Sequence, residues 1–348
     1  MVSGDKVFAA SVMKKMHQLF GGEKEWKTKE FDFLQMHITR QEDYSITIDN
    51  AAYVMDIVSR RFSQEMTAEF AKNRGAITPS NLELFTEVEE DNLVITEQNI
   101  TDYKGVIGEL LHAVVVRIDI LKEVTFLAKK CVKPGPKAWK AYRRVIYYLY
   151  HFPSLPINLR SAIGDIVTCY VDASFATHID CKSHSGMIIT IGENGGPIQA
   201  KSKMQNIHTD SSCEAELVGA VTCSNFGLFL ARLMAEIGLL NCEKVIMHLK
   251  RDNTSAIKIM ENGEGFGGKA KYFRIRYNHM KALVDDKVMD IVYCPGEHML
   301  CDFLTKVMVG AEFERQVVRA MYHSDVAEFK LQAAKAYDRV MKAKSNKP

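Results

Sequence analysis

Hydrophobic and polar positions follow two different periods in the second half of the chain. Short apolar runs bounded by polar residues or glycine predict strands at 166–172, 185–192, 197–202, 244–251 and 288–294. Stretches with apolar residues every three or four positions predict helices at 212–237, 253–261 and 298–308. Three consecutive strands followed by strand–helix alternation are typical of a sheet covered by helices. We therefore expect an α/β fold here, with a mixed five-stranded sheet flanked by helices.

The first half of the chain has mainly helical patterns. The predicted elements are a hairpin at 31–39 and 44–48, an amphipathic helix at 51–62, a long apolar helix at 103–127 and a further helix at 138–150. Pro134 and Pro136 precede the last of these helices, where proline is common. The acidic stretch at 83–97 is expected to be a connector. This half is predicted to be scaffold.

Composition narrows the class of protein. A chain of 348 residues corresponds to about two domains. Its hydrophobic content of 47% supports ordinary cores, and no apolar run reaches the ~20 residues of a membrane span. The first residues lack the basic-then-apolar form of a secretion signal. We expect a soluble intracellular protein, cytoplasmic or nuclear, with no membrane partner.

Cysteine and histidine usage gives no strong metal signature. The eight cysteines include no Cys-x-x-Cys pair, which argues against a disulfide framework and a zinc ribbon. His178, Cys181 and His184 have zinc-liganding side chains, but a single cluster of three is more often incidental than a zinc site.

Four carboxylates occupy positions typical of metal-binding acids. Asp172 and Asp252 each close a predicted strand, whereas Glu216 and Asp302 lie near helix starts. Strand ends and helix starts can bring distant side chains to one edge of a sheet. Clustered carboxylates repel one another unless divalent cations neutralise them. The four acids therefore predict a two-metal nuclease site, although each acid alone could be a turn former or a helix-start residue.

Short motifs surround these acids in a fixed order. They are Ser185-Gly186, Ser211-Ser212-x-Glu214-Ala215-Glu216, Asp252-Asn253-x-Ser255-Ala256, Ile275-Arg276-Tyr277 and Asp302-x-Leu304-Thr305-Lys306. Together they resemble the ribonuclease H domain of copia-type retrotransposon polyproteins, in which Asp, Glu, Asp and Asp occur in this order. The resemblance implies a ribonuclease H-like sheet between about Val167 and Met308.

Motifs in the first half extend the resemblance. They are Phe33-Leu34-x-Met36-x-Ile38-Thr39-Arg40, Thr78-Pro79, Tyr103-x-x-Val106-Ile107-Gly108 and Trp139-Lys140-Ala141-x-Arg143-Arg144-Val145. They are similar to the end of the copia-type reverse transcriptase and its connection. The resemblance implies three parts: a mostly helical reverse transcriptase palm, thumb and connection remnant at 1–160, a ribonuclease H-like domain at 161–322 and a basic C-terminal helix or tail at 323–348.

The polymerase motif of that family is missing. Nothing before Phe33 supplies a Tyr-Val-Asp-Asp string, and Val284-Asp285-Asp286 falls in a polar turn between the third and fourth acids. Nucleotidyl transfer needs its own metal-binding acids. We therefore expect no DNA synthesis by this chain alone, and upstream Pol segments are its expected protein partners.

The resemblance implies hydrolysis of the RNA strand of RNA–DNA hybrids. Asp172, Glu216, Asp252 and Asp302 would hold two Mg²⁺ ions, with Mn²⁺ as a substitute and Asp172 as the bridging ligand. Glu214 and Glu216 point about 200° apart on a helix, so only one can face the sheet. The family pattern selects Glu216.

Other functions remain open on the sequence. The chain departs from the family at Phe175, Cys301 and Asp210, which leaves a catalytically inactive nucleic-acid-binding remnant as the alternative. A transposase or integrase of the same fold is a third interpretation, but those enzymes normally use three acids and the polymerase-like first half argues against it.

Basic residues suggest where nucleic acid binds. No acidic residue occurs from Val124 to Gly164, and the helix at 138–150 lies within this stretch. The candidates for phosphate contact there are Lys137, Lys140, Arg143 and Arg144. An ordinary helix with aromatic residues in the core and lysines in water is the alternative interpretation.

A glycine-rich stretch at 263–269 satisfies the GxGxxG pattern. Dinucleotide and P-loop motifs require a preceding strand, whereas a helix precedes this one, and Ala270 stands where the P-loop needs Ser or Thr. We expect no nucleotide cofactor. The basic residues that follow are expected to contact the substrate backbone: Lys269, Lys271, Arg274 and Arg276.

Overall fold

The computed structural model describes residues 29–70, 78–86, 95–160, 166–193, 195–236, 247–262, 271–321 and 338. The first half contains a four-stranded antiparallel sheet whose strands lie in chain order: β1 (Glu30–Phe33), β2 (Met36–Arg40), β3 (Ile46–Asp49) and β4 (Ile157–Leu159). The helices among the described residues of this half are α1 (Ala51–Arg61), α2 (Gln64–Phe70), α3 (Leu82–Phe85), α4 (Glu97–Ala113), α5 (Leu121–Ala128) and α6 (Pro136–His151).

The second half forms the mixed five-stranded sheet. Its strands are β5 (Val167–Ser174), β6 (His184–Ile191), β7 (Pro197–Met204), β8 (Met247–Arg251) and β9 (Met289–Tyr293). They lie in the order β7-β6-β5-β8-β9, with β5 antiparallel to β6 and parallel to β8. The predicted α/β fold is confirmed, and β5 is its central strand. The helices that the structure describes in this half are α7 (Ser212–Glu236), α8 (Thr254–Asn262), α9 (Lys271–Asp285) and α10 (Gly310–Met321).

Helices cover both faces of this sheet. One core joins α7, α8 and α9 to the sheet through residues such as Leu217 and Met247. The other core contains Ile188 of β6 together with Leu127, Tyr148 and Phe313. The helices of the first half and α10 therefore pack on the second face. A continuous core crosses the predicted boundary at 160 and 161, and the three-part division stays a prediction.

Helix α7 is long and apolar enough to cross a membrane by length and composition alone. That corrects the expectation that no apolar stretch in the chain reaches this size. Half of the most apolar 18-residue stretch of α7 is buried. Gly227 lies so close to the sheet that a side chain there would collide with the Met247 sulfur. Core helices of water-soluble proteins can have the same length and composition, and α7 packs along the five-stranded sheet.

Three local predictions were wrong. The helix expected at 298–308 is replaced by two short 3₁₀ turns, Gly296–His298 and Asp302–Leu304. The long helix at 103–127 is interrupted after Ala113, where Val114, Val115 and Val116 disfavour helix because their β-branched side chains are restricted. The strand at 31–39 is divided by a turn, in which Leu34 and Gln35 have φ of 48° and 63°.

Candidate metal centre

Three of the four predicted acids meet at one rim of the five-stranded sheet. Asp172, Glu216 and Asp252 each offer a carboxylate oxygen, and these oxygens all lie within 4.8 Å of one another. Asp172 is on the central strand, Asp252 directly follows its parallel neighbour β8, and Glu216 comes from the second turn of α7. Parallel neighbours end at the same edge of a sheet, which is why residues 80 positions apart in sequence become neighbours.

A glycine lets the segment of the fourth acid approach this rim. Gly186 lies opposite Asp172 in the β5–β6 pair. A Cβ at this glycine would stand 2.7 Å from Thr305 Cγ2 and 2.9 Å from Leu304 Cβ. Because there is no side chain, residues 301–305 pack directly on β6, and the Thr305 hydroxyl donates a hydrogen bond to Asp172 Oδ2. The bond fixes the orientation of this carboxylate.

Asp302 lies beside the three-acid group rather than within it. The Lys306 ammonium is 3.5 Å from Asp172 Oδ2 and 3.5 Å from Asp302 Oδ1, so one cation links the two acids. Burial raises the pKa of Asp302 to about 6, with Lys306 opposing the rise and the charges of Asp172 and Asp252 adding to it. The fourth acid therefore belongs electrostatically to the same cluster.

Glu216 has a partner that the sequence reasoning missed. Arg251 is fully buried, and its guanidinium donates to the Glu216 carboxylate and, at 3.0 Å, to the Glu216 carbonyl. Burial raises the pKa of Glu216 to about 7, while Arg251 opposes the rise and Asp172 and Asp252 reinforce it. The signal was present in β8, where Met247, Leu249 and Arg251 alternate with more exposed residues. The strand period of two places Arg251 on the core side.

Glu214 has a different position from Glu216. Its carboxylate accepts a hydrogen bond of 2.7 Å from the Asp210 backbone N–H, and the Ser211 hydroxyl accepts one of 3.2 Å from the Glu214 N–H. This reciprocal arrangement resembles a capping box, which satisfies free N–H groups at a helix start. Glu214 thus stabilises the beginning of α7, and Glu216 is the glutamate that lies next to Asp172.

The donor set of the rim fits a hard divalent cation. Asp172 and Glu216 are 3% and 4% exposed, and three carboxylates at such short separation repel one another in a poorly solvated place. Mg²⁺ and related ions bind carboxylate oxygens. A cation there would relieve the repulsion, which fits the predicted use of metal.

The histidine cluster is engaged in hydrogen bonds instead. His178 Nε2 lies 3.0 Å from His184 Nδ1, and His184 Nε2 lies 2.7 Å from the Ser202 hydroxyl. The Lys129 ammonium is 3.0 Å from His178 Nδ1. These contacts join the N-terminal half to β6 and β7.

The basic residues of helix α6 differ in burial and in their partners. Arg144 is 4% exposed and donates a 2.8 Å hydrogen bond to the Thr78 carbonyl, so the prediction that it contacts phosphate was wrong. Lys137 donates to the Thr86 carbonyl at 2.9 Å, and Arg143 pairs with Glu69 at 3.1 Å. Lys140 is half-buried. Lys137, Lys140 and Arg143 stay predictions.

The glycine-rich stretch 263–269, including Lys269, lies outside the described residues. Lys271 begins α9, Arg274 of the same helix is exposed, and Arg276 lies over the Phe273 ring with 5.8 Å between the guanidinium carbon and the ring centre. Their contact with a substrate stays a prediction.

The chain is similar in sequence to polyproteins of retrotransposons. No family model matches the chain. It is 29% identical over 223 residues to the retrovirus-related Pol polyprotein from transposon TNT 1-94 of Nicotiana tabacum, covering 61% of this chain and 16% of that protein. It is 26% identical over 215 residues to the corresponding polyprotein from transposon RE2 of Arabidopsis thaliana, covering 62% of this chain and 14% of that protein. The chain thus spans about a sixth of these relatives.

Among solved structures, the chain is similar to the N-terminal RNase H domain of rv2228c from Mycobacterium tuberculosis, with 12% sequence identity and a TM-score of 0.29. The match covers 41% of this chain and 91% of that domain's chain. The chain is thus similar in sequence to segments of retrovirus-related Pol polyproteins, and its second half is a mixed five-stranded sheet flanked by helices.

Proposed function

We propose that this chain is a metal-dependent endonuclease that hydrolyses the RNA strand of RNA–DNA hybrids, as part of a copia-type retrotransposon polyprotein. The observation that carries the proposal is the meeting of Asp172, Glu216 and Asp252 within 4.8 Å at one rim, with Asp302 beside them.

In the proposed mechanism, Asp172, Glu216, Asp252 and Asp302 would hold two Mg²⁺ ions, for which Mn²⁺ could substitute. When bound, the ions supply an activated water and stabilise the leaving 3′ oxygen of the cut RNA strand. Thr305 fixes the Asp172 carboxylate by its hydrogen bond. Lys306 is 49% exposed beside Asp172 and offers a positive charge to the scissile phosphate.

Substrate choice in this proposal comes from the shape of the hybrid. A wide, shallow minor groove displays the 2′-hydroxyl groups, which are what distinguish RNA from DNA. Basic residues outside the rim would contribute phosphate contacts that hold the duplex without reading its sequence. The chain lacks an identifiable second set of polymerase acids, so we expect no primer extension in the presence of Mg²⁺ or Mn²⁺.

A catalytically inactive nucleic-acid-binding remnant is the second candidate. The pairing of Arg251 with Glu216 favours it, because a guanidinium then occupies one of the predicted ligands. Such a chain would fold and bind a hybrid but would not cut it.

Cleavage assays on two aspartate variants separate these candidates. The purified chain with Mg²⁺ should cut a hybrid labelled on its RNA strand, leaving 5′-phosphate and 3′-hydroxyl ends, and Asp172→Asn should abolish cutting. Asp290→Asn, an exposed position on β9 of the same sheet, is the matched control and should cut as the parent does. Full activity of Asp172→Asn would place the metal site elsewhere, whereas binding without cutting by the parent chain supports the remnant.

A further inference from the structure

Arg251 is a buried cation inside the predicted metal centre. It is fully buried at the end of β8, one residue before Asp252. Its two terminal nitrogens are directed to Glu216, one to the carboxylate and one to the backbone carbonyl at 3.0 Å. Its Nε atom has no hydrogen-bond partner among the described residues. The guanidinium is therefore held chiefly by one glutamate.

Neither member of this pair can easily do without a counter-charge. A buried guanidinium carries a positive charge that needs a counter-charge close by. Removing one partner of a buried ion pair leaves an uncompensated charge in a poorly solvated place. Glu216 also lies next to Asp172 and Asp252, whose carboxylate oxygens are within 4.8 Å of its own and repel it. Without any metal, each member of the pair satisfies the other.

Lys306 offers an instructive contrast within the same centre. Its ammonium is 3.5 Å from the nearest oxygens of Asp172 and Asp302, and its side chain is 49% exposed. A flexible, half-exposed lysine can move into water when a metal ion arrives. Arg251 has no such exit, because its side chain is surrounded by the core and lies 3.7 Å from the Met260 sulfur.

We propose that Arg251 is a built-in counter-ion that competes with divalent cations for Glu216. It lets the rim keep its fold without metal and weakens the binding of an ion there. Arg251 acts through Glu216, so it is a positioning residue rather than a catalytic one. The inference rests on the proposed function, since it concerns the same metal centre.

Replacing Arg251 should change the response to metal in a specific direction. Arg251→Met fills similar space without charge and releases the Glu216 carboxylate. Metal-free Arg251→Met should unfold at a lower temperature than the parent in EDTA, because Glu216 then lacks a counter-charge. Its Mn²⁺ affinity, measured by electron paramagnetic resonance titration, should rise about 10- to 100-fold, the range typical of changes next to metal ligands. Its thermal shift on addition of Mg²⁺ should exceed that of the parent.

Three further variants keep the test free of folding artefacts. Arg251→Lys retains a cation and should keep the parent's Mn²⁺ affinity to within a few-fold. The double variant Arg251→Met/Glu216→Gln removes both charges, which buried pairs often tolerate, and should lose the gain in affinity. Arg117→Met removes another fully buried arginine, which lies away from the rim and forms an ion pair with Asp119 at 2.7 Å. This variant should lower stability without altering the metal response.

Each outcome separates the counter-ion role from the nuclease proposal. If Arg251→Met binds Mn²⁺ as the parent does, or more weakly, the counter-ion role is overturned and Arg251 instead orients Glu216 for metal. The role is likewise overturned if Arg251→Met stays unfolded in saturating Mg²⁺ while the double variant folds. In both of these outcomes, cleavage of hybrids by the parent chain would leave the nuclease proposal intact. Absence of Mn²⁺ binding in the parent and in every variant would overturn the nuclease proposal itself.

Discussion

The rim of the five-stranded sheet and helix α6 both carry charged residues, but the fold uses those charges differently. At the rim, acids from β5, α7 and the end of β8 converge to within 4.8 Å. On α6, Arg144 turns into the core, while Lys137 and Arg143 bond to neighbouring segments. Convergence of like charges at high cost indicates a ligand. Charges spread along a helix can each find a structural partner.

The largest expected effect concerns the rim and ranks its acids. Asp252→Asn should lower hybrid cleavage by about 10²- to 10³-fold, because several kcal/mol of charge stabilisation accompany the metal. Asp302→Asn should cost less, since Asp302 lies beside the three-acid group and is linked to Asp172 through Lys306. Single-turnover cleavage at saturating Mg²⁺ measures both. Equal losses would mean that the fourth acid is as central as the other three.

The next effect tests the core role of Arg144. Arg144→Gln leaves the buried Thr78 carbonyl without its donor, and unfolding in denaturant should show a loss of about 1–3 kcal/mol. The Arg144 guanidinium also lies 5.6 Å from the centre of the Phe70 ring, which the shorter side chain cannot reproduce. Arg143→Gln, at a 45% exposed side chain, is the control and should stay within about 0.5 kcal/mol of the parent. If Arg144→Gln is as stable as Arg143→Gln, Arg144 has no structural role in the core that Arg143 lacks.

A pH series addresses the rim without metal. Burial raises the pKa of Glu216 to about 7 and that of Asp302 to about 6, both above their ordinary values. Raised carboxyl pKa values stabilise the fold at acidic pH, and that contribution is lost as pH rises through 6 and 7. In EDTA the chain should therefore be less stable at pH 8 than at pH 5.

Asp302→Asn isolates one part of that pH trend. Its stability should fall less than that of the parent as pH rises through 6, the value to which burial raises the pKa of Asp302. Saturating Mg²⁺ should flatten the trend in the parent, because metal binds the deprotonated acids. Superimposable curves for parent and variant would show that Asp302 is not buried among the other acids.

The smallest expected effect concerns the exposed part of α6. If Lys137, Lys140 and Arg143 contact phosphates, replacing each with Gln should reduce the salt slope of hybrid binding by ~0.7–0.9 per lost contact. Pure phosphate contacts carry no base information, so the loss should be similar across substrate sequences. An unchanged slope in the triple variant would make α6 structural throughout and leave the basic residues of α9 as the stronger candidates.

The succession of strands along the chain and the ends of β5 and β8 follow from local patterns, which is why they could be predicted. Asp172 and Asp252 each end an apolar run, and the parallel pairing of those runs brings them together. The burial of Arg144 and the pairing of Arg251 with Glu216 depend on which distant segment packs against each residue. The residue type alone does not show which segment packs there, although the alternation of buried and more exposed positions in β8 places Arg251 on the buried side.

The irregular segment 296–305 shows a second limit of sequence patterns. Its apolar spacing resembles a helix, yet it forms two 3₁₀ turns, and Gly186 allows residues 301–305 to pack directly on β6. The close approach at Gly186 involves a strand more than a hundred residues earlier, so no local window contains it. That contact is also what brings Thr305 to Asp172 and Asp302 to the rim.

The most direct measurement compares three labelled substrates in one experiment: an RNA–DNA hybrid, single-stranded RNA and duplex DNA, each with Mg²⁺ and with EDTA. We predict Mg²⁺-dependent cutting of the RNA strand in the hybrid alone, with 5′-phosphate and 3′-hydroxyl products, and no cutting by Asp172→Asn. Cleavage that persists in EDTA, or that is equal on single-stranded RNA, would contradict a metal-dependent hybrid nuclease at this rim.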